Sequence, residues 1–256
     1  MKHTLLSIDP QQFPEPFRAL LNNADVYDSS SSESARVFFV DKDGGYYLKC
    51  AESGTLRREA QMTRYFHTYG LSVDAEAYLS LDKDWLLTRK AEGEDCISEK
   101  YLSDPVHLCE VLAEIMYKLH HSPFADAPDY TEEFLRHIDE NHQAGKFRPS
   151  RLFPVTNREE AWQIVQDNRH LLRHDTMVHG DFCLPNILLK DGHFSSFIDL
   201  DLAGLGDPHF DIYWCTWSLW YNLHTDHYRS CFYDAYGRQN FQEEMIRVLA
   251  AFEAFD

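Results

Sequence analysis

Three oxygen-bearing side chains stand close together in one stretch of the chain. Asp181 and Asn186 belong to the run His179-Gly180-Asp181-Phe182-Cys183-Leu184-Pro185-Asn186, and Asp199 follows Phe197-Ile198. Two apolar runs, 187–189 and 194–198, flank Lys190-Asp191-Gly192-His193 and are expected to pair as a β-hairpin. That hairpin sets Asp181 and Asn186 in the loop entering it and Asp199 at its exit. Hard oxygen ligands gathered at one end of a hairpin suit phosphoryl transfer. Such chemistry needs an acceptor hydroxyl placed in line and Mg2+ held by carboxylate, amide and water oxygens. Asp181 then orients the hydroxyl and takes its proton, while Asn186 and Asp199 hold the metal.

The elements that must carry these residues fall into two parts. Upstream, residues 36–40 and 46–50 flank Asp41-Lys42-Asp43-Gly44-Gly45, a hairpin signal. A helix is expected over 56–69, with Gly70 as its C-terminal cap, then two strands near 75–79 and 85–88 around Leu81-Asp82-Lys83-Asp84. This is a small sheet with one helix against it. After Thr88 the sequence turns polar and then mainly helical, which divides the chain into domains 1–90 and 91–256. Leu108, Val111, Leu112, Ile115 and Leu119 form the apolar stripe of a core helix. Another helix is expected over about 159–172, and two more finish the chain. Trp214, Trp217, Trp220 and Tyr221 recur at helical spacing and read as a packing stripe. His179 and Asp211 read as structural, and Asp207 as a helix cap before Pro208. The fold class is α+β.

A net charge of −18 disfavours nucleic acid and anionic lipid as partners and favours, if anything, a cationic small molecule. The six cysteines show no C-x-x-C pair, so neither a zinc site nor a disulfide framework is expected. The first 17 residues hold a short apolar run interrupted by Pro10, Pro14 and Pro16, too little for a secretory signal, and no run approaches transmembrane length. The expected location is the cytoplasm, with no membrane association.

The string His-Gly-Asp-x-x-Leu-Pro-Asn, then Phe-Ile-Asp, Gly206-Asp207 and Asp211-Ile212, resembles the aminoglycoside phosphotransferase family, closest to its 3′-phosphorylating branch. Its Asp-x-x-x-x-Asn spacing is also that of the protein-kinase catalytic loop. The resemblance implies a two-lobed, protein-kinase-like fold: a small antiparallel-sheet N-lobe, a larger mainly helical C-lobe, and ATP or GTP between them with Mg2+. Lys49 then bridges the α- and β-phosphates and Glu59 orients it. Ser31 and Ser32 lie where the family positions the nucleotide, and Arg89 and Ala91 carry the linker backbone that faces adenine. Glu253 and Asp256 occupy the acidic helix end that faces the acceptor. The implied activity is phosphorylation of an aminoglycoside, hence antibiotic resistance. The alternatives are a kinase of another hydroxylated metabolite, an amino alcohol or a sugar, and an inactive nucleotide-binding module. Two features depart from the family. Its Gly-Arg after the metal Asp is Asp201-Leu202 here, and the loop at 146–154 carries Lys146, Arg148 and Arg151 where the family is acidic.

Overall fold

The computed structural model describes residues 4–31, 34–150, 152 and 155–255; Ser32, Arg151 and Asp256, singled out above, lie outside the described residues. The chain divides into two units, Met1–Gly93 with Ser195–Asp201, and Glu94–Phe194 with Leu202–Asp256.

The first unit is built on a six-stranded antiparallel sheet. In chain order its elements are β1 (Thr4–Leu6), α1 (Glu15–Leu21), β2 (Asp25–Asp28), β3 (Ala35–Asp41), β4 (Tyr46–Glu52), α2 (Arg57–Thr68), β5 (Ala75–Ser80) and β6 (Lys83–Arg89). The strand order is β1-β2-β3-β4-β6-β5. Alternation along β4 sends its side chains to opposite faces. Leu48 and Cys50 join Phe13, Phe17, Leu21, Val26, Phe38 and Val40 on one face, whereas Ala51 packs with Leu56 and Ala60 of the α2 region on the other. Lys49 shares the period-2 phase of Ala51, so it faces α2. The buried Asp84 of β6 accepts the Leu56 N–H (3.0 Å) and the Tyr78 hydroxyl (2.9 Å), which ties the start of α2 to the sheet. Beyond the helix, Leu71 N–H bonds back to Phe66 O (3.0 Å), the C-terminal closure expected at Gly70.

The sheet therefore carries a helix the sequence reading lacked. Pro14 and Pro16 lie at the N-cap and first turn of α1, where a missing N–H costs nothing because the first-turn donors have no intrahelical partner. The prolines that look like breaks in the sequence are the start of a helix. The turn between β5 and β6 is also tighter than expected, with Lys83 and Asp84 already in β6.

The second unit comprises β7 (Glu94–Asp95), α3 (Glu99–Leu102), α4 (Pro105–His121), α5 (Thr131–Gln143), α6 (Arg158–Asn168), β8 (Thr176–Val178) and β9 (Ile187–Lys190). The chain leaves it along β10 (His193–Phe197) and returns through β11 (Gly204–Gly206), α7 (His209–Leu223), α8 (His227–Tyr236) and α9 (Glu243–Glu253). Asp104 caps α4 by accepting the His107 N–H (3.2 Å), and Leu108, Leu112, Ile115 and Leu119 are buried as their spacing predicts. β8 pairs antiparallel with β11, and β7 with β9. The two-residue turn after β9 places Asp191 (φ 52°) and Gly192 (φ 81°) in the left-handed region, the signature of a tight hairpin.

Three helices rather than two close the chain. α7 ends at His224, which takes a left-handed backbone (φ 56°) without any glycine or proline to mark the break, so α7 and α8 look continuous in sequence. The buried face of α7 is Ile212, Cys215, Thr216 and Leu219. Trp214, Trp217 and Trp220 are half-buried and Tyr221 is 56% exposed, so the aromatic stripe is offset from the packing face rather than forming it. Helical spacing alone cannot distinguish the two faces.

Candidate active site

In the first unit the alternation of β4 aims Lys49 at α2, whose first turn supplies Glu59. The Lys49 ammonium lies 2.8 Å from Glu59 Oε2 and 3.0 Å from Asp199 Oδ1. Asp199 follows β10 in a left-handed backbone (φ 54°), a conformation Asp adopts more readily than most residues because its short polar side chain bonds locally. Its side chain is 48% exposed, whereas that of Glu59 is 8% exposed. Burial works against the charge of Lys49, but the charges of Glu59 and Asp199 prevail and hold its pKa above the usual lysine range. Burial pushes Glu59 up to about 7, with Lys49 pulling the other way. A cation held ready between two carboxylates, one deep and one accessible, is suited to a polyphosphate.

In the second unit the loop after β8 is pinned from below. Asp211, fully buried in the first turn of α7, accepts the backbone N–H of His179 (2.9 Å) and of Gly180 (2.8 Å) and binds His120 Nε2 (3.0 Å). The other ring nitrogen of His120 meets the Tyr236 hydroxyl at 2.7 Å. Gly180 has φ 83°, and a Cβ there would stand 2.3 Å from the Leu202 carbonyl oxygen, so only glycine fits. The loop then turns sharply: Cys183 N–H bonds Asp181 O (2.7 Å) and Asn186 N–H bonds Cys183 O (2.9 Å). The Asn186 amide nitrogen donates to the Asp181 carboxylate (2.8 Å) and to its carbonyl (3.1 Å). This fixes the direction of the Asp181 carboxylate and leaves Asn186 Oδ1 as the atom able to ligate a cation. The Leu184 N–H is taken by Ser218 Oγ (3.0 Å) of α7. A base of fixed direction on a clamped loop can accept a proton from an incoming hydroxyl.

The family model described as the phosphotransferase enzyme family matches residues 28–252. The chain belongs to that family. It is 43% identical over 258 residues to a probable aminoglycoside 3'-phosphotransferase of Lactococcus lactis subsp. lactis (strain IL1403), covering 98% of this chain and 97% of the relative. An aminoglycoside 3'-phosphotransferase of Staphylococcus aureus is 26% identical over 83% of this chain and 86% of its own length. Among solved structures, aminoglycoside phosphotransferase APH(3'')-Id from Streptomyces rimosus, in complex with ADP and streptomycin, shares the fold with a TM-score of 0.77 at 20% identity, covering 97% of this chain and 99% of that one. The α+β fold expected from the sequence is thus the fold of this phosphotransferase family.

The remaining sequence-predicted positions of this phosphotransferase are less constrained. Ser31 is exposed, and its neighbour Ser30 accepts the Val37 N–H (3.0 Å), which fastens the segment to β3. Arg89 ends β6 in an ion pair with Glu76 (2.5 Å), and Ala91 is buried just beyond it. Glu253 ends α9 half-buried, near enough to help raise the buried Tyr213 hydroxyl, which burial chiefly pushes up to about 12. Lys146 and Arg148 are exposed, and the Arg148 N–H bonds Ala254 O (2.7 Å), so the basic loop is tied to the end of α9. Sequence reasoning assigned Asp211 a structural part but missed its partner His120 and the Tyr236 hydroxyl that His120 bonds in turn; the two bonds span 91 and 116 residues and leave no local pattern. No group of three or more His, Cys, Asp or Glu side chains able to hold a metal occurs among the described residues.

Proposed function

We propose that the chain transfers the γ-phosphoryl group of ATP to a hydroxyl of an aminoglycoside. The observation that carries this reading is the Asp181 carboxylate, held by Asn186 on a loop clamped by Asp211, in a chain 43% identical along nearly its whole length to a probable aminoglycoside 3'-phosphotransferase. Adenine nucleotides accompany aminoglycosides in related structures, ADP with streptomycin and AMP-PNP with hygromycin B, which favours ATP over GTP as donor.

In this reading Asp181 accepts the proton of the acceptor hydroxyl as its oxygen bonds to the γ-phosphorus; the bond from that phosphorus to the β–γ bridging oxygen breaks and ADP leaves. Lys49, oriented by Glu59, binds the α- and β-phosphates. Asp199 and Asn186 are assigned to Mg2+ by family position, and each offers a hard oxygen, an accessible carboxylate and an amide oxygen, of the kind this cation takes together with water and phosphate. Mg2+ bound there would neutralise charge on the transferring phosphate. Ser31, Ser32, Arg89 and Ala91 are assigned to the nucleotide, and Glu253 and Asp256 to the acceptor, by family position. No helix among the described residues is long and apolar enough to cross a membrane. The six cysteines are free, which suits a reducing compartment, and we place the protein in the cytoplasm.

The test is ADP release measured across a panel of aminoglycosides, amino alcohols and sugars, with Asp181→Asn beside the wild type. Loss of a general base lowers kcat on the order of 10²-fold or more while nucleotide affinity stays nearly constant. Near-wild-type turnover in the variant, or turnover only with amino alcohols or sugars, overturns the proposal.

A further inference from the structure

α7 does more than clamp the loop that carries Asp181. Asp211 holds His179 and Gly180, the Trp214 carbonyl accepts the Cys183 thiol (3.9 Å), and Ser218 Oγ accepts the Leu184 N–H. One line of the helix therefore runs alongside residues 179–184. Beside that line, at a spacing of i, i+3, i+7, stand three aromatic rings that the core does not use. Trp214 and Trp217 meet edge to face at 5.6 Å, and Trp217 stacks on Tyr221 at 5.1 Å with 9° between the planes. The rings run from the half-buried Trp214, whose backbone carbonyl bonds the loop, out to Tyr221, which is 56% exposed. The Trp214 indole N–H is buried and has no hydrogen-bond partner among the described residues. A buried donor left without an acceptor is unfavourable, and an oxygen-bearing ligand beside the loop relieves it.

We infer that Trp214, Trp217 and Tyr221 form an acceptor-binding wall that takes an ammonium-bearing sugar or cyclitol ring. The inference rests on the proposed function and deepens it. The apolar C–H face of such a ring lies against the aromatic faces, its ammonium groups are attracted by the negative π clouds, and a ring oxygen or hydroxyl accepts from the Trp214 N–H. A net charge of −18 on the chain favours the same class of ligand. Recognition by rings also removes the objection raised by the exposed Lys146 and Arg148, because an aromatic wall attracts a cation without needing an acidic loop. The acceptor class is thereby written on α7, and the basic loop is not the deciding surface.

The test uses Trp217→Leu and Tyr221→Leu, with Trp217→Phe as the ring-retaining control, kanamycin A as acceptor and ATP as donor. Each leucine variant is expected to raise the acceptor KM roughly 5- to 30-fold, the scale of one lost cation–π and stacking contact. The nucleotide KM and kcat should stay within about twofold, and Trp217→Phe should recover most of the loss. Tyr221 is exposed, so its variant folds even if a tryptophan replacement proves damaging. Wild-type turnover of kanamycin A with an unchanged acceptor KM in Tyr221→Leu and in any folded Trp217→Leu overturns the wall alone. A wild type that phosphorylates no aminoglycoside overturns the proposed function and the wall with it.

Discussion

Asp211→Asn replaces one oxygen of a fully buried carboxylate with an NH2 group at almost constant volume, so packing is preserved and only the hydrogen bonds change. Asp211 Oδ1 faces the Gly180 N–H at 2.8 Å, while Oδ2 faces both the His179 N–H at 2.9 Å and His120 Nε2 at 3.0 Å. The asparagine oxygen keeps more bonds on the Oδ2 side, which turns the new NH2 toward the Gly180 N–H, donor against donor. One buried N–H left unsatisfied costs about 1–3 kcal/mol, and hydrogen bonds to a charged acceptor contribute about 1.5–3 kcal/mol each. A loss of about 3–5 kcal/mol is expected, a large share of the roughly 5–15 kcal/mol that keeps a typical domain folded. The displaced atom is one residue from Asp181, and a shift of about 1 Å in a reacting group lowers rate on the order of 10²-fold. Urea unfolding followed by circular dichroism gives the first quantity; steady-state ADP release at a temperature where the variant remains folded gives the second. Nucleotide KM should hardly move, because Lys49 is held by Glu59 and Asp199 whereas Asp211 holds His179, Gly180 and His120. A variant within about 0.5 kcal/mol of wild type with unchanged kcat would refute the clamp.

Other changes have equally definite outcomes. Gly180→Ala forces a Cβ to 2.3 Å from the Leu202 carbonyl at φ 83°; it should lower kcat while sparing nucleotide KM, and full activity in the variant would show that the loop has slack to absorb it. Asp199→Ala removes the 3.0 Å partner of Lys49 and the oxygen proposed to hold Mg2+, so transfer should vanish and Mg2+-nucleotide binding weaken; an activity indifferent to EDTA contradicts the assignment. Glu59, with its pKa raised from 4.5 to about 7, takes up a proton as pH falls through neutrality, while Lys49, raised, stays charged. Nucleotide KM should therefore rise between about pH 8 and 6, and Glu59→Gln should show a high KM that no longer varies over that window. The sign for folding is opposite: because the folded carboxyl holds its proton more tightly, its stabilising contribution is full below about 4.5 and is lost as pH rises through about 7.

What could be read in the sequence was what local chemistry encodes. The hairpin around Asp191-Gly192 follows from a two-residue turn that needs left-handed backbone, and the β3–β4 hairpin and the cap at Gly70 follow from equally short-range rules. The positions of Asp181, Asn186 and Asp199 relative to the β9–β10 connection came with that hairpin. α1 was hidden because proline is both a helix breaker and a helix starter, and only tertiary burial of Phe13, Phe17 and Leu21 decides between them. α5 carries Phe134, Leu135 and Ile138 at helical spacing in an otherwise polar run, a signal that was present in the sequence and was passed over because the run is short.

The α7 stripe shows where pattern reading runs out and why that limit falls on specificity. Ile212, Cys215 and Leu219 satisfy the helical period on one face, and Trp214, Trp217 and Tyr221 satisfy it on another. Side-chain size favours the aromatic set as the core, yet the buried face is the smaller one, because Ser218 and the Trp214 carbonyl must come close enough to bond the backbone and thiol of Leu184 and Cys183. A large side chain in place of Ser218 would hold the loop away. The aromatics lie on the flank of that line, because side chains three residues apart on a helix are turned by about 60° from one another. Under the proposed wall, α7 separates two tasks, with small polar groups to position the base and rings to face the acceptor. Only the first task is set by hydrogen-bond geometry common to any acceptor, so under that proposal the second is where acceptor specificity is decided.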